Sequence, residues 1–482
     1  MSLTRSLPDS RTAPTTSAAA PTGRIPRASI GIGIVLVAQL MLMLDATVVN
    51  VALPRIATDL GFTAASLSWV MNGFTLAIGG LLLLGGRLGD VFGRRRTFEI
   101  GLAVFTIASL AGGFATTPAM LIATRALQGV GAALSAPGVL ALLTTSAPDE
   151  AARRRSLALF GAVTSGGATV GLLLGGVVTD LGSWRWTLFI NVPIGIAVLA
   201  LLRRFVDETE RRPGRFDVVG ALLATTGSVL VVWSLISAPE QGWLSWRTLG
   251  GLLGGLALIA ALAVVERRVS HPMIRPDLVR NPARVLSLAV MALVVGAQFS
   301  LFFLGVQYVQ HVLGYDALVA GLAFLPLTIA IFTMTRVTPR LLGRFGPAPM
   351  MIVGTLGLAI GFAWLTFLPH ASGYAAGLFG PLILNGVCAA LVFMPVTATV
   401  LTGVEPQHAG AASGLLQTVQ QLGGAVGLAV VVSVYAAHSA PGQFLPGVEE
   451  AFRTASLFDA LALVGSVALL VVTRRLRVPV RH

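Results

Sequence analysis

Long apolar runs separated by short polar stretches dominate this chain. A helix needs about 20 apolar residues to cross the roughly 30 Å of hydrocarbon in a bilayer. One run extends from Ile30 to Leu53, and thirteen others are centred near residues 77, 106, 130, 167, 195, 227, 257, 296, 327, 358, 387, 423 and 464. Because only helices and closed barrels satisfy their backbone groups in lipid, the pattern predicts an all-α integral membrane protein with fourteen transmembrane helices.

Arginine clusters occupy alternate loops between these runs and both ends of the chain. In the loops they fall within residues 87–96, 153–155, 203–215, 267–284 and 336–344. Cytoplasmic loops carry an excess of basic residues, so the alternation predicts a multi-pass protein of the plasma membrane with both termini in the cytoplasm. The loop at 402–408 departs from the pattern, since it lies on the predicted cytoplasmic side without an arginine.

Two charged linkers divide the chain. The stretches 203–215 and 266–284 enclose two apolar runs that contain few polar groups, so we expect six spans, then two, then six. The predicted divisions are a cytoplasmic tail at 1–28, a six-helix bundle at 29–205, a linker with two extra transmembrane helices at 206–283, a second six-helix bundle at 284–475 and a cytoplasmic tail at 476–482.

The composition agrees with a membrane protein and excludes several classes of enzyme. Of the 482 residues, 55% are hydrophobic and 11% are charged, with a mean hydropathy of +0.84, whereas a soluble domain is about 25% charged. All 33 basic residues are Arg. Without Lys the chain cannot build a Walker-A phosphate loop or a pyridoxal Schiff base, so we expect no cofactor and no ATP site.

Cysteine usage and net charge narrow the choice of partners. The single cysteine, Cys388, rules out an internal disulfide and a cysteine-clustered metal site, and no metal is expected. A net charge of +13 suggests nucleic-acid binding at first sight. The basic residues are split into short clusters beside the membrane, however, so the expected partners are anionic lipid headgroups and no nucleic acid.

Two ionisable residues lie clearly within predicted spans, Asp45 in the first and Arg125 in the fourth. Ionisable groups in hydrocarbon are costly, so each is a functional hypothesis. Removal from water disfavours the charged form of a carboxylate, which makes Asp45 a candidate proton carrier; a fixed ion pair with an arginine is the alternative. Arg125 keeps its proton in proteins, so it is either a permanent counter-charge or a structural residue.

The loop after the second span reads GGRLGDVFGRRR. Gly89 and Gly93 permit a tight turn there, while Asp90 and Arg94 can pair with or cap neighbouring helix ends.

The fifth span reads GAVTSGGATVGLLLGG. Gly167, Gly171 and Gly175 recur every fourth residue, which lets a partner helix approach one face closely.

Six segments, in this order, resemble the fourteen-span drug:proton antiporters of the major facilitator superfamily. They are LDATVVNVALP, WVMNGFTLAIGGLLLLGGRLGDVFGRRR, RALQGVGAAL, the glycine-rich fifth span, WRWTLFINVPIG and SGLLQTVQQLGGAVGLA. The resemblance covers nearly the whole chain after residue 30. It implies two six-helix bundles related by a pseudo-two-fold axis, two extra helices between them, and a central cavity that opens alternately to each side.

The resemblance also implies residue roles. Asp45 matches the family's first-span acid, which is expected to be protonated, and Arg125 matches the fourth-span arginine linked to proton coupling. The remaining signature positions are a conformational latch at Gly89, Asp90, Gly93 and Arg94, and antiporter-helix glycines at Gly167, Gly171, Gly175 and Gly176.

Two positions depart from the family pattern. Leu172 stands where a Pro usually follows the glycine, which removes an expected kink. Gln420 stands where the pattern usually has Arg, which removes a positive charge from the cavity side.

Polar and aromatic positions that face a bundle interior are candidates for the substrate pocket. Amide and aromatic groups with few charges suit a bulky, partly apolar molecule, although the aromatic residues fit a packing role equally well. The candidates are Trp69, Asn72, Gln128, Phe299, Phe303, Gln307, Gln310, Asn385, Gln417 and Gln420.

Together these features predict a proton-coupled exporter of amphipathic small molecules, such as drugs or antibiotics, that acts as a monomer. A proton-coupled uptake symporter for a small nutrient is the alternative on the same fold. A membrane sensor or scaffold is a third reading, against which Asp45, Asp90 and Arg125 argue. An enzyme is not expected, because no Ser/His/Asp set, metal cluster or carboxylate pair falls together in one plausible cavity.

Overall fold

A computed structural model describes residues 27–146, 149–208, 218–266, 280–368, 373–404, 409–439 and 445–477. The regular secondary structure of these ranges is helical. Nearly all of the predicted N-terminal tail and the last residues of the C-terminal tail lie outside the described residues, and so does most of the arginine-free loop at 402–408.

The first half of the chain forms eight helices within its described residues. They are α1 (Arg27–Leu60), α2 (Ala64–Leu67), α3 (Trp69–Phe92), α4 (Arg94–Gly113), α5 (Pro118–Thr145), α6 (Glu150–Leu181), α7 (Trp186–Phe189) and α8 (Asn191–Phe205).

The linker and the second half continue the helical pattern. Their helices are α9 (Val218–Gln241), α10 (Trp246–Glu266), α11 (Pro282–His311), α12 (Ala317–Ala323), α13 (Leu325–Phe345), α14 (Pro347–Leu365), α15 (Gly380–Leu401, preceded by a π-helical turn at Ala375–Phe379), α16 (Ala409–His438) and α17 (Leu445–Arg477).

Each predicted apolar run is centred within a helix, and ten helical segments of the described chain are long and apolar enough to cross a membrane. They include Ala28–Leu60, Pro118–Leu143, Pro282–His311 and Leu445–Arg474. The prediction of an all-helical, multi-pass membrane protein is therefore confirmed. The exact number of fourteen spans is finer than this finding and stays a prediction.

Local sequence signals set where several helices begin. The Thr117 side chain accepts a hydrogen bond from the Met120 backbone at the start of α5, where Pro118 occupies the first turn. Asn281 caps α11 in the same way ahead of Pro282. A proline in the first turn loses nothing, because the N–H it lacks has no partner within the helix. These caps set where α5 of the first bundle and α11 of the second begin.

The helices pack as two bundles with an additional pair beside them. In the first bundle α1 lies against α6 and α8, while α5 lies against α3 and α4. In the second, α11 lies against α16 and α17, and α14 against α15 and α17. Helices α9 and α10 pack on each other, and α9 also touches α3 and α16, so the pair sits at the seam between the bundles.

A short internal repeat relates the two bundles. Residues 129–134 of α5 read GVGAAL, and residues 386–391 of α15 read GVCAAL. A Cβ at Gly129 would lie 2.7 Å from the Ala77 side chain on α3, and one at Gly386 would lie 2.7 Å from that of Ala330 on α13. The first glycine of the two similar segments thus makes a similar close helix contact in each half.

Candidate functional site

The polar centre of the first bundle is an ion pair between Asp45 on α1 and Arg125 on α5. Arg125 Nη1 lies 2.5 Å from Asp45 Oδ2. Both side chains are completely shielded from solvent. The two residues that the sequence singled out within its spans therefore meet, as the ion-pair alternative anticipates.

Two amide side chains complete the surroundings of the carboxylate. Asn191 Nδ2, at the start of α8, donates to Asp45 Oδ1 at 2.7 Å, and Gln128 Nε2 donates to the same oxygen at 3.0 Å. Gln128 Nε2 also lies 2.7 Å from Ser109 Oγ on α4. Side chains from α5 and α8 thus converge on the Asp45 carboxylate of α1, and Ser109 of α4 contacts one of them.

Arg125 is held from several sides. Its Nε donates to the Val70 carbonyl on α3 at 3.1 Å, and its Nη1 donates to Gln128 Oε1 at 3.0 Å. The guanidinium lies over the Phe74 ring, 4.4 Å from the ring centroid, in a cation–π arrangement. Nη2 is buried without a hydrogen-bond partner among the described residues. The positive charge is consequently fixed beside Asp45.

The Asp45 carboxylate connects three helices. Hydrogen bonds to an ionised carboxylate are about twice as strong as neutral ones, and here three donors from α5 and α8 hold the two carboxylate oxygens. Loss of either charge would leave the other buried without its counter-ion, which is strongly unfavourable. The ion pair therefore contributes to how α1, α5 and α8 pack together.

The predicted latch segment makes a tight corner between α3 and α4. Gly93 has a φ of 103°, and its N–H bonds to the Gly89 carbonyl at 3.1 Å. A Cβ at Gly93 would lie 2.5 Å from the Glu208 carboxyl carbon. The side chain of Asp90 lies outside the described part of the structure, and Arg94 is half-buried.

Glu208 is a member of this corner that sequence reasoning missed. Its two carboxylate oxygens accept from the backbone N–H groups of Arg95 and Arg96 at 2.9 and 3.1 Å. An acid at the first turn of α4 also complements the helix dipole. Glu208 thus joins the end of the sixth predicted span to the loop signature.

The fifth-span glycines line α6 where it meets α1. Cβ atoms at Gly167, Gly171 and Gly175 would lie 3.1 Å from Met43 Cβ, 3.0 Å from Thr47 Cβ and 2.8 Å from the Val48 carbonyl oxygen. The helix runs without interruption past Leu172. Gly176 faces the other bundle, where a Cβ would lie 2.5 Å from Leu318 Cα on α12.

Asp180, at the C-terminal end of α6, connects the two bundles one turn beyond Gly176. Arg55 Nη2 lies 2.7 Å from Asp180 Oδ1. Asp180 Oδ1 and Oδ2 also accept from the backbone N–H groups of Ala317 and Leu318 at 3.2 and 2.7 Å. The carboxylate therefore occupies the N-terminus of α12, where backbone donors favour an anion. Neither Asp180 nor Arg55 was assigned a role from the sequence.

Some candidate pocket residues of the second bundle are buried in helix contacts, and others are exposed. Phe303 is buried in the apolar core, and Gln307 Nε2 returns to the Phe303 carbonyl of its own helix at 2.9 Å. Gln310 Nε2 instead crosses to the Val51 carbonyl on α1 at 2.9 Å. Gln417 is exposed and Gln420 half-buried.

The other candidates are mostly buried. Phe299 packs against Gly424, where a Cβ would lie 2.8 Å from the ring. Trp69 packs on an apolar cluster that includes Leu76 of α3 and Val232 of α9. Asn72 is fully buried, and neither of its amide atoms has a hydrogen-bond partner among the described residues.

Asn385 is equally buried; its Nδ2 donates to the Pro381 carbonyl at 3.0 Å. The structure therefore brings Gln128 to the ion pair and spreads the remaining candidates over both bundles, where a substrate role stays a prediction.

One expectation about intramembrane charge is wrong. Besides Asp45 and Arg125, Asp459 lies within a spanning helix, α17, and is completely buried. The sequence gives only a weak signal for this acid, because it follows Leu457 and Phe458 near the start of the last apolar run, where interfacial residues are common.

Comparisons with known proteins place this architecture. The family model described as Major Facilitator Superfamily matches residues 35–428. Solved structures share the fold: the POT family transporter PepTSo superposes with a TM-score of 0.68 at 14% identity over 94% of this chain and 98% of its own. The xylose transporter XylE from E. coli gives 0.60 at 15% identity over 91% and 97%.

Curated relatives are much closer in sequence. The chain is 44% identical to the cephamycin export protein CmcT of Amycolatopsis lactamdurans over 82% of this chain and 83% of that protein. It is 41% identical to the puromycin resistance protein pur8 of Streptomyces alboniger over 89% and 85%. It is 34% identical to a lincomycin resistance protein of Streptomyces lincolnensis over 83% and 82%. This chain belongs to the Major Facilitator Superfamily of membrane transporters.

Proposed function

We propose that this protein is a proton-driven exporter of antibiotic-like small molecules that works by alternating access in the plasma membrane. The observation that carries the proposal is the buried Asp45–Arg125 pair, whose charge balance depends on one proton. Relatives named for antibiotic export or resistance favour export over nutrient uptake. No cofactor and no ATP site are part of the proposal, and the transporter acts as a monomer.

The proposed topology has fourteen spans in the order six, two, six. The ten long apolar segments account for most of them, and α3, α4, α6 and α9 supply the other four. The arginine-rich loops lie in the cytoplasm beside anionic headgroups, and both termini lie on the same side. Leu60, Asp180 and His311 then lie near the outer surface.

The conformation described above is then closed on the outside. Asp180 joins Arg55 to the start of α12, and Gln310 joins α11 to the Val51 carbonyl of α1. Both contacts cross between the bundles near the outer surface. The inner half of α13, in contrast, leaves several side chains from Thr333 to Arg344 exposed. This combination suits an inward-facing state.

In the proposed cycle, Asp45 takes up its proton when the cavity faces outward and loses it when the cavity faces inward. Ionised Asp45 holds the side chains of Arg125, Gln128 and Asn191 together, and protonation weakens these interactions. Each proton that enters along a membrane potential releases about 2.3 kcal/mol per 100 mV. Because a tenfold concentration ratio corresponds to about 1.4 kcal/mol, one proton per cycle supports substantial export.

Asp45→Asn in proteoliposomes tests the proposal. The first probes are puromycin, a cephamycin and lincomycin, chosen from the names of the relatives. A growth-inhibition screen in a host that lacks its own pumps first selects which of them is transported. We expect the variant to lose drug-dependent proton flux. The matched control is Asp59→Asn on the same helix, because Asp59 is exposed and forms an ion pair with Arg185 at the C-terminal end of α1. Unchanged proton flux in Asp45→Asn disproves the carrier role.

The direction of coupling separates export from uptake. In everted vesicles energised to an acidic interior, an exporter that exchanges drug for protons makes the interior less acidic when a transported drug is added. A symporter gives the opposite proton movement. Opposite movement would overturn the proposed export and favour the uptake alternative.

A further inference from the structure

Asp459 of α17 is a buried carboxyl that neither the ion pair nor the outer contacts use. The residue is inaccessible to solvent, and neither carboxylate oxygen has a hydrogen-bond partner among the described residues. Asp45, by contrast, has a cation and two amide donors around its carboxylate. The two acids that are buried among the described residues therefore lie in opposite electrostatic surroundings.

The helices around Asp459 are closely packed on both sides of it. One turn earlier, Ser456 Oγ donates to the Ala359 carbonyl of α14 at 2.9 Å. Two turns later, a Cβ at Gly465 would lie 2.9 Å from the Val290 side chain of α11. Between these contacts the chain has no room for a hydration shell, so Asp459 is enclosed by α11, α14 and the body of α17.

The charged side chains of the surrounding helices stand at the helix ends. Arg284 and His311 lie near the two ends of α11, and His438 lies at the end of α16. Helix α14 contains no ionisable residue. On α17 itself, Arg453 is exposed and bonds to Glu449 and Glu450, while the remaining arginines lie in its last turn.

Cys388 of α15 is a titratable side chain near Asp459. A thiol supplies no positive charge, and a thiolate would add a second negative one. In the internal repeat, GVCAAL aligned with GVGAAL, Leu382 occupies the position of Arg125.

A lone buried carboxylate has few ways to be stabilised. A buried charge without a partner changes its protonation state rather than remain ionised. A metal ion would need several oxygen ligands, and the described residues contain no group of three or more His, Cys, Asp or Glu side chains that could hold one. A proton needs no further ligand, and it converts the carboxylate into a neutral acid.

We propose that Asp459 is a second proton-binding site, located in the C-terminal bundle, that is occupied in this conformation and exchanges its proton during transport. The exchange rests on the proposed function, whereas the bound proton does not. The cation and the amide donors around Asp45 have no counterpart at Asp459 among the described residues. Both acids then contribute to the number of protons moved for each drug molecule.

Infrared spectroscopy of the purified full-length protein tests the bound proton. At neutral pH we expect the C=O stretching band of a protonated carboxylic acid, lost in Asp459→Asn, retained in Asp459→Glu and unchanged in Asp45→Asn. Asp316→Asn is the control, because Asp316 is an exposed helix cap of the same bundle. Since Asn mimics the neutral acid, Asp459→Asn should also keep the wild-type melting temperature. An unchanged band, or a large loss of thermal stability, would overturn the occupied site.

Proton release in detergent, followed with a pH dye after adding a transported drug, tests the exchange. We expect Asp45→Asn to retain part of the wild-type release and the double variant with Asp459→Asn to lose it. Equal release from the single and double variants would make Asp459 a permanently protonated structural acid and overturn the exchange. If the wild type itself releases no protons, the proposed coupling fails, while the infrared band still decides whether Asp459 holds a proton.

Discussion

Asn191 donates a hydrogen bond of 2.7 Å to Asp45, although 146 residues separate them in the chain. This contact ties the first residue of α8 to the middle of α1. It places a neutral donor on the carboxylate oxygen Oδ1, whereas Arg125 binds Oδ2. The carboxylate of Asp45 is therefore held by donors from two helices besides its own.

Asn191→Leu should lower the thermal stability of the protein. The change removes one of the three donors that hold the Asp45 carboxylate. A hydrogen bond to a charged group contributes about 1.5–3 kcal/mol. We expect a lower melting temperature in detergent, measured by thermal unfolding.

Asn50→Leu is the control for this loss. Asn50 is also a buried amide on α1, but its Nδ2 bonds at 3.2 Å only to the Ala46 carbonyl of its own helix. Its replacement should leave the melting temperature nearly unchanged. Equal losses in both variants would show that any change of a buried amide on α1 or α8 lowers the stability.

Arg125→Leu should destabilise the protein far more than the loss of both charges together. The single change leaves Asp45 buried without a counter-ion, for which the cost is about 3–5 kcal/mol. Asp45→Asn combined with Arg125→Leu removes both charges and should recover much of the loss. Thermal unfolding in detergent measures the coupling between the two positions.

Arg453→Leu is the matched control for the arginine change. Arg453 forms exposed ion pairs with Glu449 and Glu450, and such pairs contribute at most about 1 kcal/mol. Its loss should leave the melting temperature nearly unchanged. Additive effects of Asp45→Asn and Arg125→Leu would argue against a stabilising ion pair.

The hydrophobic pattern predicted the helices well because each apolar run must fill the thickness of the bilayer. The two charged residues within those runs, Asp45 and Arg125, could be identified from the sequence because a charge in lipid is energetically costly. Asn191 gave only a weak signal, because an amide near a span end is common and its partner comes from a distant helix. Asp180 was missed for a related reason: its partners are backbone N–H groups of α12, which a sequence does not mark.

Asp459 shows a different limit. A window of hydropathy averages over neighbours, so an acid flanked by apolar residues near the start of a run looks interfacial. Its depth depends on how α17 slides along α11 and α14, which only the packing reveals. The same limit applies to the pocket candidates: Phe303 and Gln307 were expected to face a bundle interior, but the sequence did not show that Phe303 lies in an apolar core or that Gln307 bonds to its own helix.

Gly175→Val should disrupt the seam between α6 and α1. A Cβ at Gly175 would lie 2.8 Å from the Val48 carbonyl oxygen, which belongs to the backbone and cannot move aside. Overpacking of this kind costs about 1–3 kcal/mol or more. We expect a lower melting temperature and less monodisperse protein on size exclusion. Gly254→Val is the control, because nothing lies within 4 Å of a Cβ there, and comparable losses in both variants would count against the close seam.

Asp180→Asn should open the outer end of the transporter. The change removes the ion pair with Arg55 and weakens the bonds to the backbone of Ala317 and Leu318. Each charge-assisted bond contributes about 1.5–3 kcal/mol, so the ratio of open to closed populations should rise by about tenfold or more. Asp149→Asn, a cap at the opposite end of the same helix, should leave the populations unchanged.

Distance measurements between spin labels follow this opening. Cysteines at Trp186 and Tyr315, both exposed near the outer end on opposite bundles, carry the labels in a Cys388→Ala background. Asp180→Asn should enlarge the long-distance population. Gly176→Val should do the same without altering any charge, because its Cβ would lie 2.5 Å from Leu318 Cα. If the distances stay at their wild-type values in both variants, the carboxylate and the glycine do not hold the outer end closed.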